Sequence, residues 1–536
     1  MIQTLNRILI GLAFLLLVYL FIVYVAYAVN LIQFPFDYDQ GEGFELVDVM
    51  MFSQFKFPYA DIESYPFYGS IYPPLYHVIL VPLAWIFGAE YWYGRLFSFI
   101  TTLITAMLIG YAVYKETIRR TPDANHFITR WVAVLAGLVF LASNIVYHIG
   151  PLFRQHISMV MFETAAVVVL AHVNEIQHTR RRRYVLFVGF ALLIAAGYTK
   201  QLAAFTAIAV LIFLFIRNPR RALTWGAGFT LVGMGIFAAL TILTNGHWWT
   251  QTIVANVKDF DLNQAEGLFR LFIRTHLWLV IPALLMIVYE VYLDRISIYA
   301  IWFVVTLGLS AYSAGTWGAG DSYYATAVAA MAILSGIFAA RTLTNGWGLP
   351  RFTRILSTLG LIVIPLLYIE YAVGVFHTPT TEFFFRQVTD ALNIEDNTGY
   401  NYYDPDGYIT LAYAQIGHFT TDADIQNGNR IVDHIAAIPP DVPVLSEEAA
   451  FSFATDREVI TNPVVLYILD QVGAYDSSEL VAMIEAQDFG LIVLRAQFFP
   501  PAVNRAITIY YEETERIPMN GFDYIILYPR DEPLIE

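Results

Sequence analysis

Apolar residues dominate the first 376 positions in long stretches separated by short polar or charged joints. A helix crossing a bilayer needs about 20 mostly apolar residues. Eleven stretches meet or approach that length: roughly 7–30, 95–114, 131–148, 157–174, 184–199, 202–216, 223–244, 276–293, 297–314, 323–340 and 355–376. The first run is too long for a cleavable signal peptide. A further segment, 75–88, is apolar but short and contains Pro82. Beyond residue 376 the pattern changes. Val442–Leu445, Leu491–Leu494 and Tyr524–Leu527 are short apolar runs that predict strands, and Ser478–Gln487, with Ser477 before it and Glu479 in its first turn, predicts a helix. Tyr400–Gly407 is turn-rich and predicts a loop. The expected fold is a polytopic all-α membrane domain over 1–376, with about eleven transmembrane helices plus interfacial ones, followed by a small α/β domain over 377–536.

Composition agrees. The chain has 536 residues, 57% hydrophobic and 14% charged, against roughly 25% charged in soluble domains, which excludes a soluble globular protein. Aromatics at 16% fit a protein with many side chains at membrane interfaces. Without cysteine there is no disulfide, thiolate metal site or cysteine nucleophile.

The net charge of −15 is segregated. Residues 377–536 hold 7 Arg, no Lys and 26 acids, whereas the rest is slightly basic. The tail has no basic patch for nucleic acid, and its acidity serves solubility. In the membrane part the cations cluster at Lys115/Arg119/Arg120/Arg130, Arg180–Arg183, Arg217/Arg220/Arg221 and Arg341/Arg351/Arg354. With a cytoplasmic N-terminus and 75–88 not crossing, all four clusters fall inside, as the positive-inside trend requires; if 75–88 crosses, all four fall outside. The first arrangement is expected. It places 75–88 in the interface, and puts the tail and the linkers 31–74, 148–156, 245–275 and 315–322 on the outer side of the cell membrane.

The linker 31–74 is the most informative. It carries Asp37-Tyr38-Asp39-Gln40-Gly41-Glu42-Gly43-Phe44-Glu45. Asp39 and Glu42, three residues apart, share a face if the segment is helical. Paired carboxylates at a membrane surface can deprotonate or orient an acceptor hydroxyl, or hold a divalent cation; the plain alternative is a solvated acidic loop. The glycines permit close approach of another group. Further on, Tyr72-Pro73-Pro74-Leu75-Tyr76-His77 makes a rigid start to the short apolar segment, with Tyr72 and His77 as candidates for substrate contact.

Arg95 opens the second span, either snorkelling to headgroups or binding a substrate phosphate. Lys200, between two apolar runs, breaks the positive-inside trend; it is a snorkelling lysine or a functional cation. Arg154 and His156 occupy a tight outer turn, either structural or in contact with substrate. Asp321 and Tyr324 open the tenth span, where the acid either caps the helix or joins the site. No phosphate-cradling glycine loop, metal-spaced His cluster or serine elbow occurs. All the candidates lie on one side, which suits a phosphate-headed donor embedded in the outer leaflet and no nucleotide cofactor.

Taken in order and spacing, Asp39-Gln40-Gly41-Glu42-Gly43, Tyr59-Ala60-Asp61, Tyr72-Pro73-Pro74-Leu75-Tyr76, Phe87-Gly88, Gly94-Arg95-Leu96 and Tyr198-Thr199-Lys200-Gln201 resemble the polytopic glycosyltransferases of the GT-C class, in the branch of protein O-mannosyltransferases and bacterial aminoarabinose transferases. The resemblance covers 1–376. The tail, from Val444-Leu445-Ser446-Glu447-Glu448, resembles small extracytoplasmic domains appended to such enzymes. It implies inverting transfer of a sugar from a polyprenyl-phosphate donor to an acceptor hydroxyl on a lipid, glycan or protein. Asp39 or Glu42 would be the general base, Lys200 and Arg95 would hold the donor phosphate, and 75–88 would be the family's juxtamembrane helix. One departure stands out. Many relatives carry an acid in the turn after the third span, whereas here Arg154 is followed by Gln155 and His156. A Mg or Mn ion, if used, would rest on Asp39 and Glu42 with one carboxylate fewer, and His156 would remain to hydrogen-bond donor or acceptor.

The competing expectation is a lipid or glycan transporter with an appended soluble domain. Transporters gather ionisable residues near the midplane on broken helices; here Glu163 and Glu290 are the closest exceptions to spans otherwise free of central charge.

Overall fold

The computed structural model describes residues 2–344, 347, 350–379, 383–393 and 418–534; the expected loop Tyr400–Gly407 lies outside them. Among the described residues seven helices are long and apolar enough to cross a membrane: Ile2–Gln33, Tyr91–Arg120, His156–Glu175, Thr179–Thr199, Pro219–Leu243, Leu262–Leu293 and Asp321–Leu343. Of the other four expected spans, three are shorter helices, His126–Ala142, Gln201–Arg217 and Ile298–Ser313, and the last lies within the 25-residue helix Pro350–Gly374. Leu75–Phe87 is likewise a short apolar helix. The chain is an integral membrane protein, with seven spans by this criterion against the eleven expected.

Local chemistry explains where the boundaries moved. The stretch 131–148 is one apolar run but not one helix: His126–Ala142 stops at Ser143, whose backbone is extended (φ −59°, ψ 129°) and whose hydroxyl lies 2.9 Å from His276 Nε2, and a short helix Asn144–Ile149 follows. The span expected from 276 begins at Leu262, capped by the Asp261 side chain on the Asn263 N–H. Polar residues there continue the helix above the apolar stripe. Lys200 separates two helices by adopting an extended backbone (φ −157°, ψ 141°).

The centre of the bundle is the helix Ala325–Leu343, buried along nearly its whole length. Its Ala-, Gly- and Ser-rich sequence lets neighbouring backbones come close, the usual means of packing helices in lipid. Glu163 is buried among the spans and accepts from Thr206 and Thr326 hydroxyls at 2.6 Å each. Glu290 lies near a helix end, 2.7 Å from Arg120.

The tail holds a four-stranded sheet, β1 (Val444–Ser446), β2 (Leu491–Leu494), β3 (Tyr511–Met519) and β4 (Phe522–Pro529), in the order β1-β2-β4-β3. β1 and β2 are parallel, with Leu445 opposite Ile492; β4 is antiparallel to both its neighbours. The helix expected from 478 runs Ser478–Glu485. β3 escapes the apolar pattern because it is an edge strand whose sequence, Tyr-Glu-Glu-Thr-Glu-Arg-Ile-Pro-Met, is charged on the open side.

The tail docks on the first outer linker. The Ala450 N–H donates to Asp37 Oδ2 at 3.0 Å, Asn520 Nδ2 donates to the Tyr38 carbonyl at 2.7 Å, and Asn30 Nδ2 donates to the Thr420 carbonyl at 2.9 Å. Phe36 packs on Phe451 with ring centroids 5.6 Å apart, and its ring also lies where a Cβ on Gly428 would stand. Gly428→Val should therefore loosen the docked tail, at about 1–3 kcal/mol for overpacking. The check is a lowered thermal midpoint in detergent together with faster proteolytic release of the tail.

Candidate active site

The linker is held to the second span by one side chain. Arg95, fully buried on the Tyr91–Arg120 helix, uses all five of its N–H donors. Nε and Nη2 reach Glu42 at 3.0 and 2.7 Å, Nη1 reaches the carbonyls of Leu31 and Phe34, and Nη2 also reaches the Phe36 carbonyl at 2.7 Å. Glu42 is as fully buried, and it accepts in addition from the backbone N–H groups of Tyr38 (3.0 Å) and Phe153 (2.6 Å). A buried arginine with a carboxylate and three carbonyls is satisfied without any substrate. The expected roles of Arg95 as a phosphate ligand and of Glu42 as a base therefore find no support in this geometry: both are engaged by each other and by the backbone, and neither borders the two cavities that meet at Tyr72.

Asp39 faces the other way. It precedes the helix Glu42–Ser53, its carbonyl accepting from the Glu42 N–H at 2.9 Å. Arg154 Nε donates to Asp39 Oδ2 at 2.6 Å and its Nη1 lies 3.5 Å from Glu45 Oε1. The guanidinium rests directly over the Cα of Gly41, where any Cβ would collide with it, the close approach for which that glycine is needed. Behind it, His77 Nε2 lies 2.6 Å from Glu45 and 3.6 Å from Asp48, and Asp48 accepts from Tyr68 and Ser70 hydroxyls. Burial lifts the Asp48 carboxyl to about 6, and burial with neighbouring Glu448 and Glu42 raises that of Asp37.

A cation-rich region begins across Tyr72. Lys200 is buried, its Nζ 2.5 Å from His156 Nε2 and 4.8 Å from the centre of the Tyr72 ring. Burial, then the charge of Arg154, push its ammonium well below the usual lysine range. Lys258 lies half-buried over the Trp317 ring, and burial lowers it to about 8. Neither lysine forms an ion pair among the described residues.

Two cavities meet here. One, of about 310 Å³, is bordered by Asp39, Glu45, Asp48, Arg154 and, from the tail, Val465 and Phe498. The second, of about 350 Å³, is bordered by His156, Lys200, Ser322 and Tyr323. Ile71, Tyr72, Lys258 and Gly318 border both, so the two form one cleft with an acidic and a basic half.

Of the residues expected from the sequence, Asp39, Tyr72, Arg154, His156 and Lys200 come together at this cleft. His77 sits beneath it, paired with Glu45. Asp321 borders neither cavity and lies 3.9 Å from His148 Nδ1. Tyr324 stacks on Phe272, 4.9 Å between centroids, in the bundle interior. Sequence reasoning passed over Glu45, Asp48 and Lys258. The acids had a signal, since Asp39, Glu42, Glu45 and Asp48 recur at every third position; Lys258 is one charge among several in the linker 245–275 and had none.

The donor set also decides about a divalent ion. Among the described residues no three His, Asp or Glu side chains gather as metal ligands. Asp39 holds Arg154 and Glu42 holds Arg95, so the expected pair is divided between two guanidinium groups. Asp39 and Glu42 therefore do not form the shared Mg or Mn site expected of them.

No known family profile and no curated protein matches the sequence. Solved structures do. ArnT from Cupriavidus metallidurans in the apo state superposes at a TM-score of 0.57 with 12% identity, covering 96% of this chain and 98% of that one. The same protein bound to undecaprenyl phosphate gives 0.54 and 13%, over 94% and 97%. An oligosaccharyltransferase from Archaeoglobus fulgidus follows at 0.47 and 13%, over 97% and 75%, a likeness on which nothing is built. The chain thus has the fold of the GT-C membrane glycosyltransferases. ArnT, an aminoarabinose transferase, shares it over nearly the whole length, tail included.

Removing one partner of a buried ion pair costs about 3–5 kcal/mol. Arg95→Leu and Glu42→Gln should each lower the thermal midpoint sharply and reduce folded yield, while Asp39→Asn, whose pair with Arg154 borders a cavity, should lower the midpoint less. Fluorescence-detected size exclusion with a thermal ramp makes the comparison. Treatment with EDTA should leave any transfer activity unchanged.

Proposed function

We propose that this protein transfers a sugar from a polyprenyl-phosphate donor to an acceptor hydroxyl, with Asp39 as general base, and that the cleft opens on the outer side of the cell membrane. One observation carries the proposal: Lys200 and Lys258, neither in an ion pair among the described residues, border the same cleft as Asp39, whose Oδ1 has no hydrogen-bond partner among those residues. The lysines form a site for a phosphate, because an anion restores the charge that burial suppresses. A solved structure with this fold holds undecaprenyl phosphate, which supports the choice of a lipid-linked one.

In the reaction the acceptor oxygen attacks the anomeric carbon from the face opposite the phosphate. The bond from that carbon to the phosphate oxygen breaks, the hydroxyl proton passes to Asp39, and the lipid phosphate departs with its charge held by Lys200 and Lys258. The configuration inverts. Arg154 fixes Asp39 through Oδ2 and directs Oδ1 to the cavity. Tyr72, common to both cavities, stands where donor and acceptor meet. The 31–74 linker, the 75–88 helix and the tail then lie outside, with the N-terminus in the cytoplasm, in keeping with the four basic clusters. The transporter alternative has less in its favour, because Glu163, buried among the spans, accepts from two threonine hydroxyls, and Glu290 is paired with Arg120.

The test is transfer from radiolabelled polyprenyl-phosphate hexose or pentose to extracted envelope acceptors, in nanodiscs. Asp39→Asn should lose at least ~100-fold in rate with donor binding retained, and Lys200→Ala should weaken donor binding roughly tenfold. Full transfer by Asp39→Asn would remove Asp39 from the base role. The Lys258 ammonium adds a pH test. It binds phosphate when protonated, so kcat/KM for the donor should fall as pH rises through about 8, and Lys258→Arg, which stays charged, should move that fall to higher pH.

A further inference from the structure

A third cavity, of about 360 Å³, lies at the other end of the bundle. The Tyr91–Arg120 helix measures the separation: it begins beside Arg95 and the cleft, and its last residues, Arg119 and Arg120, border this cavity 30 residues on, about 45 Å away. Five arginines line it: Arg119, Arg120, Arg217, Arg295 and Arg341.

They are not equivalent. Arg120 is held by Glu116, by Glu290 at 2.7 Å and by Asp294 at 3.3 Å; Arg119 is held by Glu116 and Glu175 at 2.7 and 2.9 Å; Arg341 stacks over Tyr289, with Asp294 at 3.7 Å. These pairs form a neutralised floor. Arg217 and Arg295 differ. Arg217 donates only to the Ile296 carbonyl and covers the Phe213 ring, and the exposed Arg295 side chain has no hydrogen bond or ion pair among the described residues. Two guanidinium groups without carboxylate partners therefore stand at the mouth of a cavity whose other charges are balanced.

What flanks them identifies the kind of anion. The chain reaches Arg217 through Phe215 and Ile216, which are 50% and 56% exposed, and reaches Asp294-Arg295 through Tyr292 and Leu293, which are 79% and 60% exposed. On a membrane-spanning bundle such residues face acyl chains, so the two arginines sit at headgroup depth directly above a lipid-facing apolar surface. Basic recesses between spans are suited to anionic lipid headgroups, and arginine's fork matches phosphate oxygens.

We propose that this cavity binds the phosphate of an anionic lipid headgroup in the leaflet opposite the cleft, gripped by Arg217 and Arg295. The site is separate from the cleft and does not depend on the transfer reading.

Native mass spectrometry of the full chain, titrated with phosphatidylglycerol, cardiolipin or phosphatidylcholine, tests it. Wild type should retain one anionic lipid that phosphatidylcholine does not replace, and the Arg217→Gln/Arg295→Gln double variant should lose it by roughly tenfold or more in affinity. Arg217→Lys/Arg295→Lys, which keeps the charge, should retain most of the binding and shows that the pair can be altered without unfolding. Arg180→Gln/Arg183→Gln, on the exposed basic run outside the cavity, should bind as wild type. Equal loss in that control would overturn the proposal in favour of diffuse surface charge. So would undiminished binding in the Gln double variant, or displacement of the lipid by millimolar inorganic phosphate, which would assign the cavity to a soluble phosphate compound.

Discussion

The buried contact between Arg95 and Glu42 sets the geometry on which the candidate site rests. Taking both charges out of water is costly, and their attraction offsets that cost only because every remaining donor of Arg95 finds a carbonyl and Glu42 gathers further N–H groups. The result is less a source of stability than a fixing of position. Four points along the chain, at Leu31, Phe34, Phe36 and Glu42, are tied to one guanidinium on the second span. The turn between them has little freedom left, and that turn presents Asp39. Glu42 even accepts weakly from the Asp39 N–H, at 3.4 Å.

With the linker fixed, charge is sorted around Tyr72. Arg154 lies with the acids, and Lys200 and Lys258 border the cleft without an ion pair among the described residues. Burial lowers the ammonium of both lysines below the usual lysine range. The position of Arg154 also explains the absence of a gathered metal-ligand set among the described residues: the positive charge that a divalent ion would bring near Asp39 and Glu45 is already supplied by a side chain.

Much of this architecture was legible in the apolar pattern, because lipid forces long apolar helices and leaves a written record of them. The segment 75–88 was recognisable as a short apolar helix, which is what Leu75–Phe87 forms. Interruptions within an apolar run were not, since nothing in the composition of 131–148 marks Ser143 as a break; the hydroxyl's contact with a histidine 133 positions away does. Nor could spacing separate Asp39 from Glu42. The two acids are alike in sequence, and only the direction each faces, one to a buried arginine and one to a cavity, distinguishes them. Lys258 was silent for the converse reason, because its meaning comes entirely from the chain segments that fold over it.

The sheet of the tail limits how an acceptor can be received. Its outer strand, β3, carries Glu512, Glu513, Glu515 and Arg516, an irregularity between Glu513 and Glu515, and Pro518. Charge, a bulge and a proline each discourage a further strand from pairing. The opposite edge, β1, is only three residues long and turns at once into a helix. An extended polypeptide therefore finds no hydrogen-bonding ladder on either side. If the acceptor is a peptide, it is recognised by its side chains and its hydroxyl in the cleft, not by lending its backbone to the sheet.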